Sequence, residues 1–222
     1  VKNVCKNGKR VLITAGRTEE LIDPVRYISN RSSGKTATAI ASVFYEAGFD
    51  VTMVCGPMDV AAPGFSKVVN VRSAIEMHEA VLSRAKDYDV LVHCAAVADY
   101  RPAEVANEKI KDSRSQLHLD LIPNPNILRD SVAQKRKGQV VVGFALETEK
   151  PELHAKEKLE KSGADLLVLN MPVAKESGFG KDNVAFSLVE KGGAVPELQM
   201  ASKRDLALGI LRFTLLELEK TK

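Results

Sequence analysis

Arg10-Val11-Leu12-Ile13-Thr14-Ala15-Gly16 decides the fold class. Val11–Thr14 reads as a short buried strand, closed by two small turn residues. A polar loop follows, Asp23-Pro24-Val25-Arg26-Tyr27-Ile28-Ser29-Asn30-Arg31-Ser32-Ser33-Gly34-Lys35. Thr36 to Ala47 then reads as a helix with Ala, Ile, Val and Phe on one face and Gly48 as its stop. A polar, glycine-containing loop between a strand and a helix N-terminus is where α/β proteins hold phosphate. Backbone N–H groups are free there, and the helix dipole favours an anion.

The alternation continues along the chain. Val51–Cys55, Lys67–Val71, Val90–Ala96, Val140–Ala145 and Leu166–Asn170 read as strands. Helices are expected from Ser73 to about Lys86 with a Ser73/Glu76 capping box, over Asn126–Lys135, and over Pro151–Lys161. Ala185–Val189 and Glu197–Met200 should pair around Gly192-Gly193, and Ser202 should cap a last helix running to about Glu219. Leu117–Leu121 alternates as an outer strand would. Continuous apolar strands separated by helices imply a parallel sheet covered on both faces. The expected architecture is one α/β domain over residues 1–222, a doubly wound, mostly parallel Rossmann-like sheet. Residues 100–121 are long, charged and aperiodic, and should form a flap over a ligand. Ligands in such folds sit beyond the C-terminal strand ends, so the loops after Thr14, Ala96, Leu121, Ala145 and Asn170 should line one crevice.

Composition narrows the partners. The 222 residues carry 32 basic and 29 acidic side chains, a net charge of +3, too balanced for a nucleic-acid binder but compatible with a small anionic ligand. Cys5, Cys55 and Cys94 lack metal-ligand spacing and read as free thiols in a reducing cytosol. No stretch has the length of a membrane span or the pattern of a signal peptide, so a cytoplasmic protein is expected. The first residue is Val, as in an excised domain.

Three groups of residues could carry chemistry. In the first loop, which lacks both GxGxxG and a complete Walker pattern, Ser32, Ser33 and the Gly34 amide suit a phosphate better than they suit a plain helix cap. Lys35 suits either a phosphate or solvent. In Cys94-Ala95-Ala96-Val97-Ala98-Asp99-Tyr100, small residues let a flat ring approach the backbone. Asp99 could accept from a ribose hydroxyl or base amine, help hold a metal, or cap its own turn. Asn107-Glu108-Lys109-Ile110-Lys111 suits a flap presenting ammonium groups to a polyphosphate, or an exposed basic loop. Lys158 and Lys161 are open to the same two readings. The histidines are dispersed, with no Ser–His–Asp set and no sign of zinc. Donors and cations of this kind fit catalysis by positioning and charge stabilisation around a phosphate.

Five motifs in order strongly resemble the phosphopantothenoylcysteine synthetase family: the Asp23–Lys35 loop, Ala95–Tyr100, Lys109-Ile110-Lys111, Asn124-Pro125-Asn126-Ile127, and Gly143-Phe144-Ala145-Leu146-Glu147-Thr148. The resemblance spans nearly the whole chain and is to the bacterial kind, the C-terminal half of a bifunctional coenzyme A biosynthesis flavoprotein. It implies a ligase using CTP and Mg²⁺ to join 4′-phosphopantothenate and cysteine through an acyl-cytidylate, with release of pyrophosphate and CMP. It implies a homodimer, fused in the full-length protein to a flavin-dependent decarboxylase, with no flavin in this chain. The resemblance gives Asn30 and Arg26 roles in converting the acyl-cytidylate, and Lys109 a role in forming it. Gly16, Ser32, Ser33, Gly34, Lys35, His93, Cys94, Ala95, Asp99, Pro125, Asn126, Ile127, Leu128, Phe144, Lys158 and Lys161 are the implied nucleotide contacts; the metal ligands are not identified.

The chain departs from the family pattern at Thr36-Ala37, where Met-Gly is usual, at Arg17, where Pro is usual, and at Ser162, where a lysine is expected. A Rossmann-like NAD(P) oxidoreductase is the main competing class, weakened by the missing GxGxxG and Tyr-x-x-x-Lys. A nucleotide-binding module without turnover is the other.

Overall fold

In the computed structural model, residues 7–111, 116–146, 151–171 and 182–220 are described. Val1, Cys5, Glu147-Thr148 of the fifth motif, and residues 112–115 of the expected flap lie outside them. The main sheet has eight strands in the order β12-β11-β10-β9-β6-β1-β4-β5. Its members are β1 (Arg10–Ala15), β4 (Asp50–Cys55), β5 (Lys67–Asn70), β6 (Val90–His93), β9 (Val140–Leu146), β10 (Leu166–Met171), β11 (Asn183–Glu190) and β12 (Gln199–Ser202). From β5 across to β10 every pairing is parallel, whereas β11 and β12 are antiparallel additions at one edge. This is the doubly wound architecture read from the sequence.

Side chains of the central strands alternate between two cores, as a sheet covered on both faces demands. Val11, Ile13 and Ala15 of β1 point to the face covered by α1 (Lys35–Glu46) and α5 (Lys203–Glu219). Leu12 points to the other face, under α2 (Ala74–Leu82) and α3 (Ile127–Ala133). Further along that face, Leu167 and Leu169 pack under α4 (Pro151–Ser162). Among the described residues no helix is long and apolar enough to cross a membrane.

Two small antiparallel ribbons stand outside this sheet. One joins β2 (Glu19–Leu21) to β3 (Tyr27–Ser29), inside the loop between β1 and α1. The other joins β7 (Tyr100–Pro102) to β8 (Leu121–Pro123). The expected outer strand at Leu117–Leu121 is therefore displaced to begin at Leu121. The flap has a paired base instead of being a free loop.

Three local expectations are corrected. The helix begun at Ser73 ends at Leu82, and a short 3-10 turn covers Ala85–Asp87. Ser73 accepts from the Glu76 N–H, but the Glu76 carboxylate turns back to the Arg72 N–H, 2.8 Å away, so the box is shifted by one residue. Strand β6 stops at His93, because from Cys94 the chain leaves the ladder to bond the loop that follows β1. At the last helix the expected cap is present as a full capping box: Ser202 accepts from the Asp205 N–H and the Asp205 carboxylate accepts from the Ser202 N–H.

That box fixes where α5 begins. Ser202→Ala should lower unfolding stability by about 1 kcal/mol, read as a shift of the urea midpoint at unchanged slope. An unshifted midpoint would mean that packing against α1 alone sets the helix start.

Candidate functional site

Strand β1 lies between β4 and β6, and the chain leaves it in opposite directions. This is the switch point of the sheet, where the loops beyond the strand ends part and leave a crevice. Four hydrogen bonds stitch the loop after β1 to the loop after β6. Ala95 N–H donates to Thr14 Oγ1 at 3.1 Å, and Ala98 N–H to Thr18 Oγ1 at 3.0 Å. Ala96 N–H donates to the Gly16 carbonyl at 2.9 Å, and Thr18 N–H to the Ala96 carbonyl at 3.3 Å. Gly16 must be glycine: its φ is +77°, and a Cβ there would lie 2.6 Å from the Pro57 carbonyl oxygen.

The crevice has two adjoining cavities. The first, about 520 Å³, is lined by Asn30 and Ser32–Lys35 of the loop before α1, by Gly16, Cys94 and Ala95, and by Asn170, Val184 and Lys203. The second, about 620 Å³, is lined by His93, Pro125–Leu128 and Lys161. Ala95, Val97, Asp99, Phe144 and Lys158 belong to both walls. The first cavity is thus rich in serine, backbone and lysine donors, and the second mixes the apolar Pro125, Ile127, Leu128 and Phe144 with charged groups such as Arg129, Glu157 and Lys158.

Local structure explains the donors. Gly34 is the N-cap of α1 in the left-handed conformation, φ +82°, and no side chain caps the helix. The first-turn residues Lys35, Thr36 and Ala37 line the first cavity, with the Lys35 N–H donating to Ser33 Oγ at 3.5 Å, so the end of the helix that favours an anion lies beside it. Arg17 holds this loop, its Nη1 donating to the Ser32 carbonyl and to Asp59 Oδ1, each at 2.9 Å. Asn30 donates from Nδ2 to the Val97 carbonyl at 2.9 Å, joining the phosphate loop to the β6 loop. Its amide retains a second N–H and the carbonyl oxygen. Lys35 Nζ reaches Asp182 Oδ1 at 3.1 Å.

In the second cavity, Asn126 spends its side-chain oxygen as the N-cap of α3, accepting from the Arg129 N–H at 3.0 Å. His93 Nε2 is buried with no hydrogen-bond partner among the described residues. Burial pushes its pKa down to about 4, so the ring is neutral near pH 7. Burial also pushes the Cys94 thiol up to about 12, which removes it as a nucleophile. Cys55 is raised to about 11 by burial as well. No cluster of three acidic, His or Cys side chains able to hold a metal ion occurs among the described residues.

Of the catalytic and nucleotide-contact residues that the resemblance implies, all but two line these cavities. Arg26 and Lys109 do not. Arg26 is bound through Nε and Nη2 to Asp23 Oδ2, and Nη2 also donates to the Ile110 carbonyl at 2.9 Å. Lys109 is exposed on the flap beside Ile110. The two are linked through one carboxylate. Asp23 is fully buried and also accepts from the N–H groups of Val25, Arg26 and Ile110. The Arg26 guanidinium, helped by these backbone donors against the cost of burial, holds its pKa well below the usual carboxylate range. Lys161 lies in the second cavity's wall but pairs with Glu157 at 3.0 Å. Ser162 also lines that wall, and is buried with its hydroxyl on the Leu159 carbonyl.

Sequence reasoning missed Lys203 and Asn124. Asn124 Nδ2 donates to the Ala98 carbonyl at 2.8 Å, and Asn124 Oδ1 accepts from Arg101 at 3.1 Å, so it ties the flap base to the β6 loop. Its place one residue before Pro125 in a quoted motif was the available signal. Lys203 follows an N-cap serine, and only the sheet order shows that this helix start faces the crevice.

Comparison with known proteins fits this geometry. The family described as DNA/pantothenate metabolism flavoprotein C-terminal domain matches residues 6–216. The chain is 41% identical over 206 residues to the Coenzyme A biosynthesis bifunctional protein CoaBC of Vibrio vulnificus, covering 92% of this chain and 51% of that protein. It therefore spans about half the length of the curated relatives it matches. The crystal structure of the C-terminal domain of a CoaBC protein superposes with a TM-score of 0.81 at 38% identity, covering 96% of this chain and 98% of that one. A mutant of Cab2 solved in complex with phosphopantothenate-cysteine shares the fold, with a TM-score of 0.76 at 18% identity over 96% of this chain and 87% of that one.

The Asp23 carboxylate anchors the flap to the phosphate loop. Asp23→Asn should speed hydrogen exchange of the Ile110 amide by about tenfold or more, because Arg26 loses its counter-charge. In the unaltered protein the anchor should be pH-insensitive above the ordinary carboxylate pKa of 3.8. The folded-state pKa is the lower one, so the stabilisation is full above 3.8 and is lost as pH falls through the folded value. Loss of Ile110 protection between pH 7 and 5 would contradict this anchor.

Proposed function

We propose that this chain, which belongs to the DNA/pantothenate metabolism flavoprotein C-terminal domain family, is a phosphopantothenate–cysteine ligase that activates its acid with CTP. The observation that carries the reading is the divided crevice. A donor-rich cavity of about 520 Å³ at a helix N-terminus adjoins a second of about 620 Å³, and both share Phe144 and Lys158. A nucleoside triphosphate fits that division, with the base and ribose beside His93, Phe144 and Pro125–Leu128 and the phosphates toward Ser32–Lys35.

The reaction has two steps. The carboxylate oxygen of 4′-phosphopantothenate bonds to the α-phosphorus, and the bond to pyrophosphate breaks. The amine of cysteine then bonds to the acyl carbon, the bond to CMP oxygen breaks, and the amine gives its proton to solvent. A carboxylate is a poor electrophile, and cytidylylation supplies its leaving group. Ser32, Ser33 and the first-turn amides of α1 offset phosphate charge with fixed dipoles. Asn30, held at the junction of the two loops, uses its remaining N–H to grip the acyl carbonyl during amine attack. Arg26 and Lys109 act with the flap. Their shared anchor at Asp23 ties the Ile110 segment to the loop after β1, and so fixes where the neighbouring Lys109 starts from.

Mg²⁺ fits as a phosphate-bound ion and not as one held by a protein cage. Among the described residues the crevice offers the exposed Asp99 and the Lys161-paired Glu157 and no metal-holding cluster, which matches the preference of Mg²⁺ for substrate phosphates, water and one or two carboxylates. When bound, it neutralises charge on the phosphates. The protein is proposed to act as a cytoplasmic homodimer, in a full-length protein that carries the relatives' other half. Exposed Tyr27, Tyr100, Leu121 and Ile122 near the flap base support a partner surface there.

Incubation with CTP, phosphopantothenate and Mg²⁺ should release pyrophosphate, with cysteine required for CMP and amide product to turn over. ATP should serve at least tenfold less well in kcat/KM, a difference of about 1.4 kcal/mol. No pyrophosphate from either nucleotide would end the ligase reading, and preference for ATP would end the CTP assignment. Asn30→Asp should leave the first pyrophosphate burst intact while slowing amide formation about 100-fold or more. Normal turnover in that variant would remove Asn30 from the chemistry.

A further inference from the structure

A third loop, residues 56–59 after β4, backs the site. It packs against both glycines of the loops described above. A Cβ at Gly34 would lie 2.6 Å from Met58 Sδ, as one at Gly16 would from the Pro57 carbonyl oxygen. A Cβ at Gly56 would lie 1.9 Å from the Arg17 carbonyl oxygen. The Arg17 N–H donates to the Pro57 carbonyl at 3.1 Å. Arg17 therefore starts from backbone held on this third loop, and its side chain crosses to the loop before α1.

Two consecutive carbonyls of the loop before α1 are taken up by this third loop and Arg17. The Ser32 carbonyl accepts from Arg17 Nη1 at 2.9 Å, and the Ser33 carbonyl accepts from the Asp59 N–H at 3.1 Å. The same Nη1 donates to Asp59 Oδ1 at 2.9 Å, which holds the guanidinium in place. The Asp59 side chain is 62% exposed, so this pair acts through geometry more than through charge. In a trans peptide the C=O and the following N–H point in opposite directions, and no cis peptide occurs among the described residues. Fixing the two carbonyls turns the Ser33 and Gly34 N–H groups away from Arg17 and Asp59. Ser32, Ser33 and Gly34 line the first cavity, whereas Arg17 and Asp59 do not.

We infer that Arg17 is a positioning residue for phosphate binding. It touches no ligand itself. With Asp59 it sets the two peptide planes from which the Ser33 and Gly34 N–H groups seat a phosphate oxygen. Phosphate as the ligand rests on the nucleotide reading above. A side chain at position 17 that cannot reach the Ser32 carbonyl leaves that plane able to rotate, and a rotated plane offers an anion a carbonyl oxygen in place of an N–H.

The test is equilibrium binding of inorganic pyrophosphate, CTP and ATP, each with Mg²⁺, to the unaltered chain and to Arg17→Gln, Asp59→Asn and Lys137→Gln, with backbone amide NMR shifts followed in the same titrations. Lys137, exposed in the turn between α3 and β9, controls for loss of a positive charge. Pyrophosphate should move the Ser33 and Gly34 amide protons of the unaltered chain downfield at saturation. Arg17→Gln should weaken pyrophosphate and the triphosphate by about tenfold and shrink those movements. Asp59→Asn, which releases the guanidinium but keeps its donor, should give a smaller loss in the same direction, and it carries the test if Arg17→Gln does not fold. Lys137→Gln should change nothing. Equal affinity in the unaltered chain and both loop variants overturns the inference, as does an equal loss in Lys137→Gln, or an unaltered chain that binds none of the three ligands. Binding that leaves the Ser33 and Gly34 amides unmoved also overturns it. So does a loss that comes with a lowered melting temperature and undiminished amide movements, since Arg17 would then be merely structural. If pyrophosphate binds in this Arg17-dependent way but neither CTP nor ATP displaces it, the inference stands and the nucleotide reading fails.

Discussion

The parallel pairing of β1 with β4 on one side and β6 on the other is the constraint from which the rest follows. Parallel neighbours need crossover connections, and crossovers that leave one strand in opposite directions force the loops at its end apart. The gap cannot be filled by the sheet's own hydrogen bonding. It is bridged instead by Thr14, Gly16 and Thr18, which bond the loop after β6 and hold the crevice at a fixed width. Small residues at Ala95, Ala96 and Ala98 follow from that stitching, because backbone must approach backbone there.

The sequence showed the sheet more fully than the site's edges. Val11–Thr14, Val51–Cys55 and Val140–Ala145 are runs buried on both faces, and such runs are legible because burial leaves composition little choice. The β2–β3 and β7–β8 ribbons were not legible. Each strand has three residues, and Tyr27, Tyr100, Leu121 and Ile122 are exposed. These ribbons are held by buried polar groups whose partners are far away in sequence. Asp23 finds Ile110 across 87 positions, and no local pattern carries that information.

The site divides the same way. Residues at strand ends and in the loop after β1 were expected at the crevice and do line its walls, because the end of a parallel strand is a structural signal. Lys203 was not found. Its approach depends on β11 and β12 reversing direction at the sheet edge. The expected pairing of Ala185–Val189 with Glu197–Met200 is seen only at Ala185 and Phe186 and extends instead to Asn183 and Ser202, and it said nothing of which end of the sheet its second strand would reach. Arg17, where the family pattern differs, turns out to brace the Ser32 carbonyl, so this chain supports its loop with a guanidinium.

The walls of the first cavity come from residues 16 through 203. During synthesis, the glycines, serines and Lys35 leave the ribosome long before the segment that completes the opposite wall. The early strands can pair and bury Leu12 or Ile13 without that segment, but a closed binding chamber cannot exist until α5 has docked against α1. A nascent or clipped chain lacks that wall, so any ligand of the complete cavity would stabilise only molecules that have folded to the end.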